Sequence, residues 1–227
     1  MAAFDFDGTL TDGGSVFSFL VAVGGRGPVT AVSLALSPRL AHAALAGGEV
    51  ADRTKELLFQ RVLDGVPLEA ALAVGEQFAG RHLTRHGRAA VRQRLDWHRQ
   101  RGDRVVVVSA SPELYIREAG RLLGADGVIA TRLEVDRRGA LTGRYHGANC
   151  RGEEKARRLR AWIAETGPPP GTVWAYGNSR GDLRMLRAAD VGVNAGRLGP
   201  FGALRAFAPL DTLWTTGPRA SSGDPEA

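Results

Sequence analysis

The chain has 227 residues and a mass of 24.1 kDa, enough for one sizeable domain or a core carrying a smaller insert. With 44% hydrophobic and 24% charged residues it can build a core, which excludes disorder throughout, and its one cysteine, Cys150, excludes an internal disulfide framework and points to a reducing, cytoplasmic location. The formal charge of +6 comes from 28 arginines and two lysines (Lys55 and Lys155) spread along the chain, with no zinc-finger or aromatic RNA-binding signature, so nucleic acid is excluded as the principal partner.

Residues 2–6 (Ala-Ala-Phe-Asp-Phe) read as a short strand ending in the turn Asp7-Gly8-Thr9. With Met-Ala-Ala-Phe-Asp at the start of the sequence, no signal peptide is expected there. From Ser15 to Leu83 the pattern is helical: Val29, Val32, Leu36 and Leu40 recur at three-to-four spacing, as do Leu57, Leu58 and Val62, with Pro28 and Pro67 where helices begin. Pro28 to Ala46 is the longest apolar run, but Pro38, Arg39 and His42 break it, so no stable membrane span is expected. A further helix is expected over 84–101, stopped by Gly102. Then the period changes. Val105 to Val108 is a continuous β-branched run, as in buried parallel strands, and ends at Ser109. Helix 112–124 follows, then strand-like segments over 127–146 about a hairpin turn at Asp136–Gly139. Helix 153–166, strand 172–176, helix 181–188 and a strand near Val191–Val193 complete the series, and from Thr215 the chain reads as a loose tail.

Alternating strands and helices imply an α/β fold: a Rossmann-like parallel-sheet core with helices on both faces and an all-helical cap inserted after the first strand. The expected division is a core of 1–11 and 84–214, a cap of 12–83, and a disordered tail of 215–227. Ligands of such sheets bind beyond the carboxyl ends of the strands. Those ends offer Asp5-Phe6-Asp7-Gly8-Thr9, Ser109, Lys155 in the first turn of helix 153–166, and Gly177-Asn178-Ser179-Arg180-Gly181-Asp182. Carboxylates, a hydroxyl, an ammonium and an amide–carboxylate pair suit phosphoryl transfer, which needs a nucleophile, a proton donor, cation clamps and hard oxygen ligands for Mg2+.

This ordered set resembles the haloacid dehalogenase (HAD) superfamily of phosphatases: an Asp-x-Asp after the first strand, a Ser/Thr after a hydrophobic strand, a Lys, and a Gly-Asp-x-x-x-Asp-like turn. Its spread covers nearly the whole chain. The helical insert, Ser109-Ala110-Ser111-Pro112 and Cys150-Arg151-Gly152-Glu153-Glu154-Lys155 are similar to the phosphoserine-phosphatase-like branch, subfamily IB. The resemblance implies a Mg2+-dependent phosphomonoesterase. Asp5 is then the nucleophile that becomes phosphorylated, and Asp7 the acid and base. Ser109, the Ala110 N–H and Lys155 hold phosphate. Mg2+ sits on Asp5, the Asp7 carbonyl and Asn178, with Asp182 behind them. One departure stands out: Gly177-Asn178 replaces Gly-Asp, which removes a negative charge from the metal site.

Other readings of the same residues are weaker. Gly177-Asn178-Ser179-Arg180-Gly181 matches the Gly-x-Ser-x-Gly elbow of serine hydrolases, but that fold places its histidine after the serine, and the last histidine here is His146. His82 and His86 share a helix face at a spacing metals accept, yet no third ligand is evident, and a solvated face is expected. Cys150 reads as a small structural residue, and Arg180 lies beside the site. The expected substrate is a small organic phosphate. Phosphoserine phosphatases carry a glutamate just after Asp-x-Asp, and this chain has only Asp12 there. Segment 28–46 resembles the apolar cap segment of relatives that dephosphorylate phosphatidylglycerophosphate, which keeps a lipid phosphate and peripheral lipid contact as an alternative. A catalytically weakened phospho-ligand-binding relative is the other, with Asn178 as its hint.

Overall fold

The structure, a computed structural model, describes residues 1–167, 169, 171–196 and 202–210. The tail expected from residue 215 lies outside the described residues. In chain order, β1 (Ala2–Phe4) is followed by α1 (Val16–Gly24), α2 (Arg26–Ala35), α3 (Ser37–Ala46), α4 (Gly48–Leu63), α5 (Leu68–His86) and α6 (Ala89–Gln100). Then come β2 (Val105–Pro112), α7 (Glu113–Leu123), β3 (Gly127–Thr131), β4 (Leu133–Val135), β5 (Leu141–Tyr145) and α8 (Glu153–Thr166). β6 (Trp174–Gly177), α9 (Leu183–Ala188), β7 (Val191–Asn194) and β8 (Ala208–Pro209) close the series.

The main sheet is parallel and runs β3-β2-β1-β6-β7-β8. Side chains along a strand alternate between faces, and this alternation divides the interior in two. Ala2, Phe4, Val105, Val107, Tyr176 and Val193 bury against one set of helical residues, including Leu95, Leu114, Tyr115 and Ala119. Ala3, Val106, Val108 and Ala175 bury on the other face with Leu159, Met185 and Leu186. Helices therefore cover both faces, as the fold class requires. Phe4 stands opposite Val107 on one side and Tyr176 on the other. The chain departs from β1 in both directions, so a crevice opens at the carboxyl ends of β1, β2 and β6.

Within α1–α5 the apolar run breaks at Leu36. Pro38 has no N–H to donate to Leu34 and its ring crowds that carbonyl, so α2 ends and α3 restarts with proline in its first turn. Among the described residues no single helix is long and apolar enough to cross a membrane; α2 and α3 reach that composition only as a pair bent by 69°. The helix expected over 84–101 is divided differently. α5 continues through His86 and the chain breaks at Gly87, where it pairs with the strand leaving β1: Thr11 bridges Gly87, Asp12 N donates to His86 O at 2.8 Å, and Arg88 N to Leu10 O at 2.9 Å. The expected hairpin forms as a separate sheet, β4-β5, and packs on α4. Tyr145 N donates to Glu56 Oε1 at 2.8 Å and its hydroxyl to Asp52 O at 3.0 Å.

A polar network sits within the first core layer. His98 Nδ1 is 2.7 Å from Asp103 Oδ2, its Nε2 is 2.8 Å from Tyr176 Oη, and Arg94 Nε donates to that oxygen at 2.8 Å. With Arg94 donating, the Tyr176 O–H points at Nε2 and the imidazole is neutral. Burial pushes His98 down to about 4, against the pull of Asp103. The unfolded chain takes up this proton near 6.5, so stability should be full above that pH and fall towards pH 4, by on the order of 3 kcal/mol in urea titrations. Tyr176→Phe should cost about 1–3 kcal/mol by leaving Nε2 without its donor.

Candidate active site

Asp5 follows the last residue of β1 and its N–H donates to Tyr176 O at 2.9 Å, so the sheet itself fixes its backbone. Lys155 lies in the first turn of α8, on the inward face with Ala156 and Leu159. The start of α8 is tied to the turn after β6 by Gly152 N donating to Gly181 O at 2.8 Å. These anchors bring three charges together. Lys155 Nζ donates to Asp5 Oδ1 and to Asp182 Oδ1, both at 2.6 Å. Lys155 and Asp182 are each 1% exposed and Asp5 is 6% exposed. Burial opposes the lysine's charge, yet Asp182 and Asp5 outweigh it and hold the ammonium above its usual range. One cation between two carboxylates leaves an excess negative charge. Burial, reinforced by Asp182, pushes Asp5 up, whereas Asp182 is held low in spite of its burial by the Lys155 charge.

Asp182 has no oxygen to spare. Its Oδ2 accepts from Ser179 Oγ at 2.7 Å, Ser179 N at 2.9 Å and Asn178 N at 3.2 Å. A Cβ on Gly177 would stand 2.5 Å from Asp182 Cβ, so only glycine lets the turn fold back this closely. The Asn178 amide points the other way. One of its two terminal atoms lies 3.2 Å from Asp5 Oδ2 and 3.1 Å from the Asp7 carbonyl. With nitrogen there the amide donates to both; with oxygen there, three oxygens face one another and the Thr9 hydroxyl donates to Asn178 Oδ1 at 3.3 Å. Gly8 makes room for this, with φ +79° and a virtual Cβ 2.1 Å from the Asn178 amide nitrogen. Among the described residues no cluster of three His, Cys, Asp or Glu side chains could hold a metal, so a cation here would rest on a carboxylate, a carbonyl and an amide.

The Asp7 side chain turns away from this group. Its Oδ1 accepts Ser15 N, at the start of α1, at 2.7 Å, and its Oδ2 accepts the Ser111 hydroxyl. Ser15 Oγ lies 2.6 Å from the Tyr115 hydroxyl. Ser109 is buried near the end of β2, its Oγ accepting Ser111 N at 3.0 Å. The Ala110 carbonyl accepts Thr131 Oγ1 at 2.7 Å and, from α4, Lys55 Nζ at 2.9 Å. Ser111 belongs to the Ser109–Pro112 segment that carries the resemblance, whereas no motif in the sequence marks Ser15 or Lys55. Lys55 had a usable signal, as the other lysine of an arginine-dominated chain.

Comparison with known proteins settles the family. The haloacid dehalogenase-like hydrolase model matches residues 2–187. The chain is 37% identical to protein CicA of Caulobacter vibrioides over 194 residues, 84% of this chain and 83% of that one. The chain belongs to the HAD hydrolase family. Over 114 residues it is 32% identical to histidinol-phosphatase of Neisseria meningitidis, covering 49% of this chain and 51% of that protein. Its fold matches substrate-bound phosphoserine phosphatase with a TM-score of 0.62 at 21% identity, over 85% and 84% of the two chains. It is a HAD-family hydrolase of phosphoserine-phosphatase-like fold.

Other residues of the HAD chain fall outside this cluster. His82 is not on a solvated face. α5 turns that side onto α7, so His82 is buried, stacked on Phe78 at 5.2 Å, and its Nε2 has no hydrogen-bond partner among the described residues. Ser179 Oγ is committed to Asp182 rather than to any histidine. Cys150 is buried and its thiol is pushed up by that burial. Arg180 is exposed and lines a cleft of about 390 Å3 with Gly48, Asp52, Arg151 and Gly181. Lys155→Met should leave two buried carboxylates without their cation and cost about 3–5 kcal/mol in urea unfolding at neutral pH; a loss below 1 kcal/mol would contradict the buried triad.

Proposed function

We propose that this HAD hydrolase is a Mg2+-dependent phosphomonoesterase that acts on a small organic phosphate through a phosphoryl group carried on Asp5. The observation that carries this reading is the division of labour on one carboxylate. Asp5 Oδ1 faces Lys155, while Oδ2 faces the Asn178 amide, which also meets the Asp7 carbonyl. With its oxygen turned inward, the Asn178 amide presents a hard donor 3.2 Å from Asp5 Oδ2 and 3.1 Å from the Asp7 carbonyl, close to the roughly 3 Å between neighbouring ligands of an octahedral Mg2+, so the donor chemistry fits that ion. Asp5, the Asp7 carbonyl and Asn178 would hold it. When bound, Mg2+ would offset the repulsion between a carboxylate and an approaching phosphate.

The chain's own groups then do the following. Asp5 attacks phosphorus in line, forming a P–O bond as the ester P–O bond breaks. Asp7 supplies a proton to the departing alkoxide, then takes one from the water that attacks phosphorus and releases Asp5. Ser15 N–H and the Ser111 hydroxyl fix the Asp7 carboxylate for both steps. Ser109, the Ala110 N–H and Lys155 hold phosphate oxygens, Lys155 adding a full charge at the start of α8. Asp182 holds Lys155 in place from behind.

A lipid phosphate is the second reading, and one surface favours it. No acidic residue occurs between Asp12 and Glu49, and within that stretch Leu34 and Leu45 are 68% and 89% exposed. A phosphate-release panel of histidinol phosphate, phosphoserine, sugar phosphates, nucleotides and phosphatidylglycerophosphate decides between the two. On p-nitrophenyl phosphate, turnover should require Mg2+ and stop with a chelator. Asp5→Asn should lower it by on the order of a thousandfold or more. Asn178→Asp should retain turnover and tighten Mg2+ several-fold by restoring a charged ligand. Wild type and Asp5→Asn turning over equally would end the nucleophile assignment. A wild type that binds phosphate without turnover would support a weakened phospho-ligand-binding relative instead.

A further inference from the structure

Lys55 has no place in the chemistry just described, yet it lies half-buried beside it. It sits on α4, in the helical layer, and its ammonium crosses to residues 109–111, which bulge out of the ladder as a short loop within the last part of β2. There it donates to Ala110 O at 2.9 Å and to Asn149 Oδ1 at 2.7 Å. Both acceptors belong to one small network. Thr131 Oγ1 lies 2.7 and 2.8 Å from the same two oxygens, its one proton serving either, and Asn149 Nδ2 donates to Asp52, also on α4, at 2.7 Å. The loop that ends β2 is thus gripped from the helical layer by a charged donor. A chain that uses arginine at 28 of its 30 basic positions places its two lysines here and at Lys155. Arginine's planar fork is bulkier than the compact ammonium that this packed site accepts.

We infer that Lys55 is a positioning residue for phosphate: by holding the Ala110 carbonyl from α4, it fixes the 109–111 loop in its binding shape only while the helical layer is docked on the sheet. This rests on the phosphatase reading above. Binding of phosphate and docking of α4 are then one event, because the backbone that receives the phosphate is shaped by a side chain of the layer that closes over it. The ammonium is costly to bury. Desolvation lowers Lys55 to about 8, against the opposing pull of Asp52 and Asp7, with Arg151 lowering it further. Glu56 lies on the same helix and Cys150 precedes Arg151; the Tyr145 ring of β5 faces the ammonium at 5.7 Å. The charged form that strengthens the two hydrogen bonds is therefore present below about pH 8 and lost above it.

The test uses full-length wild type and Lys55→Met with saturating Mg2+. It reads KM and kcat on p-nitrophenyl phosphate, competitive inhibition by inorganic phosphate, and far-UV circular dichroism, from pH 6 to 9.5. Lys55→Met should raise KM and the phosphate inhibition constant by roughly tenfold at pH 7, the loss expected for a charge-assisted hydrogen bond, with kcat changed much less. In wild type both constants should climb as pH passes about 8, and in the variant they should not. Wild-type constants in Lys55→Met, or the same alkaline climb in both proteins, would overturn the inference while leaving the phosphatase reading intact. If Lys55→Met fails to fold, the wild-type pH series decides alone: a phosphate inhibition constant flat from pH 7 to 9.5 would overturn the inference. A wild type without turnover or phosphate inhibition would overturn both.

Discussion

Two carboxylates and one ammonium, nearly sealed from water, set the terms for this molecule. Lys155 stands 2.6 Å from both Asp5 and Asp182, and its charge opposes the penalty that burial places on each acid. The asymmetry between the acids is what gives the cluster a use. Asp182 is saturated by Ser179, Asn178 and Lys155, so its charge is locked and its role is to hold the lysine. Asp5 has one oxygen turned to Lys155 and the other to the place where Asn178 and the Asp7 carbonyl converge. A carboxylate short of positive charge is raised towards neutrality, and the cation proposed at that second oxygen would supply what is missing.

The fold serves this arrangement by bringing distant segments to the crevice flanking β1. The register of β1 against β2 and β6 sets where Asp5, the 109–111 loop and the 177–182 turn stand relative to one another. Gly8 and Gly177 then allow Asn178 and Asp182 to approach closer than any side chain would permit. The helical layer does more than cover the crevice. Ser15 at the start of α1 holds Asp7, and Lys55 on α4 holds Ala110, so two of the groups nearest the proposed chemistry are secured by elements of that layer.

What was legible in the sequence is what local rules govern. The valine run over Val105–Val108 announced a buried parallel strand, and Asp5, Lys155, Asn178 and Asp182 could be located because each follows or opens a readable element. Residues that reach across between elements were not legible. Nothing near Lys55 in the chain says that α4 lies over the loop after Ser109, and nothing near Ser15 says that its N–H meets Asp7. His82 shows the same gap: an i, i+4 pair defines a helix face, but which face packs inward is decided by α7, far along the chain. The break at Gly87 likewise comes from pairing with Thr11 rather than from a local stop signal.

The central claim is that the Asp5 carboxylate carries the phosphoryl group in transit. Rapid mixing with a phosphomonoester and Mg2+, acid quenching within a turnover, and mass spectrometry of the N-terminal peptide address it directly. One added phosphoryl group on Asp5, absent from Asp5→Asn and lost on warming at neutral pH, is the expected result. Rapid turnover with no phosphorylated Asp5 at any quench time, or a phosphoryl group borne by another residue, would contradict it.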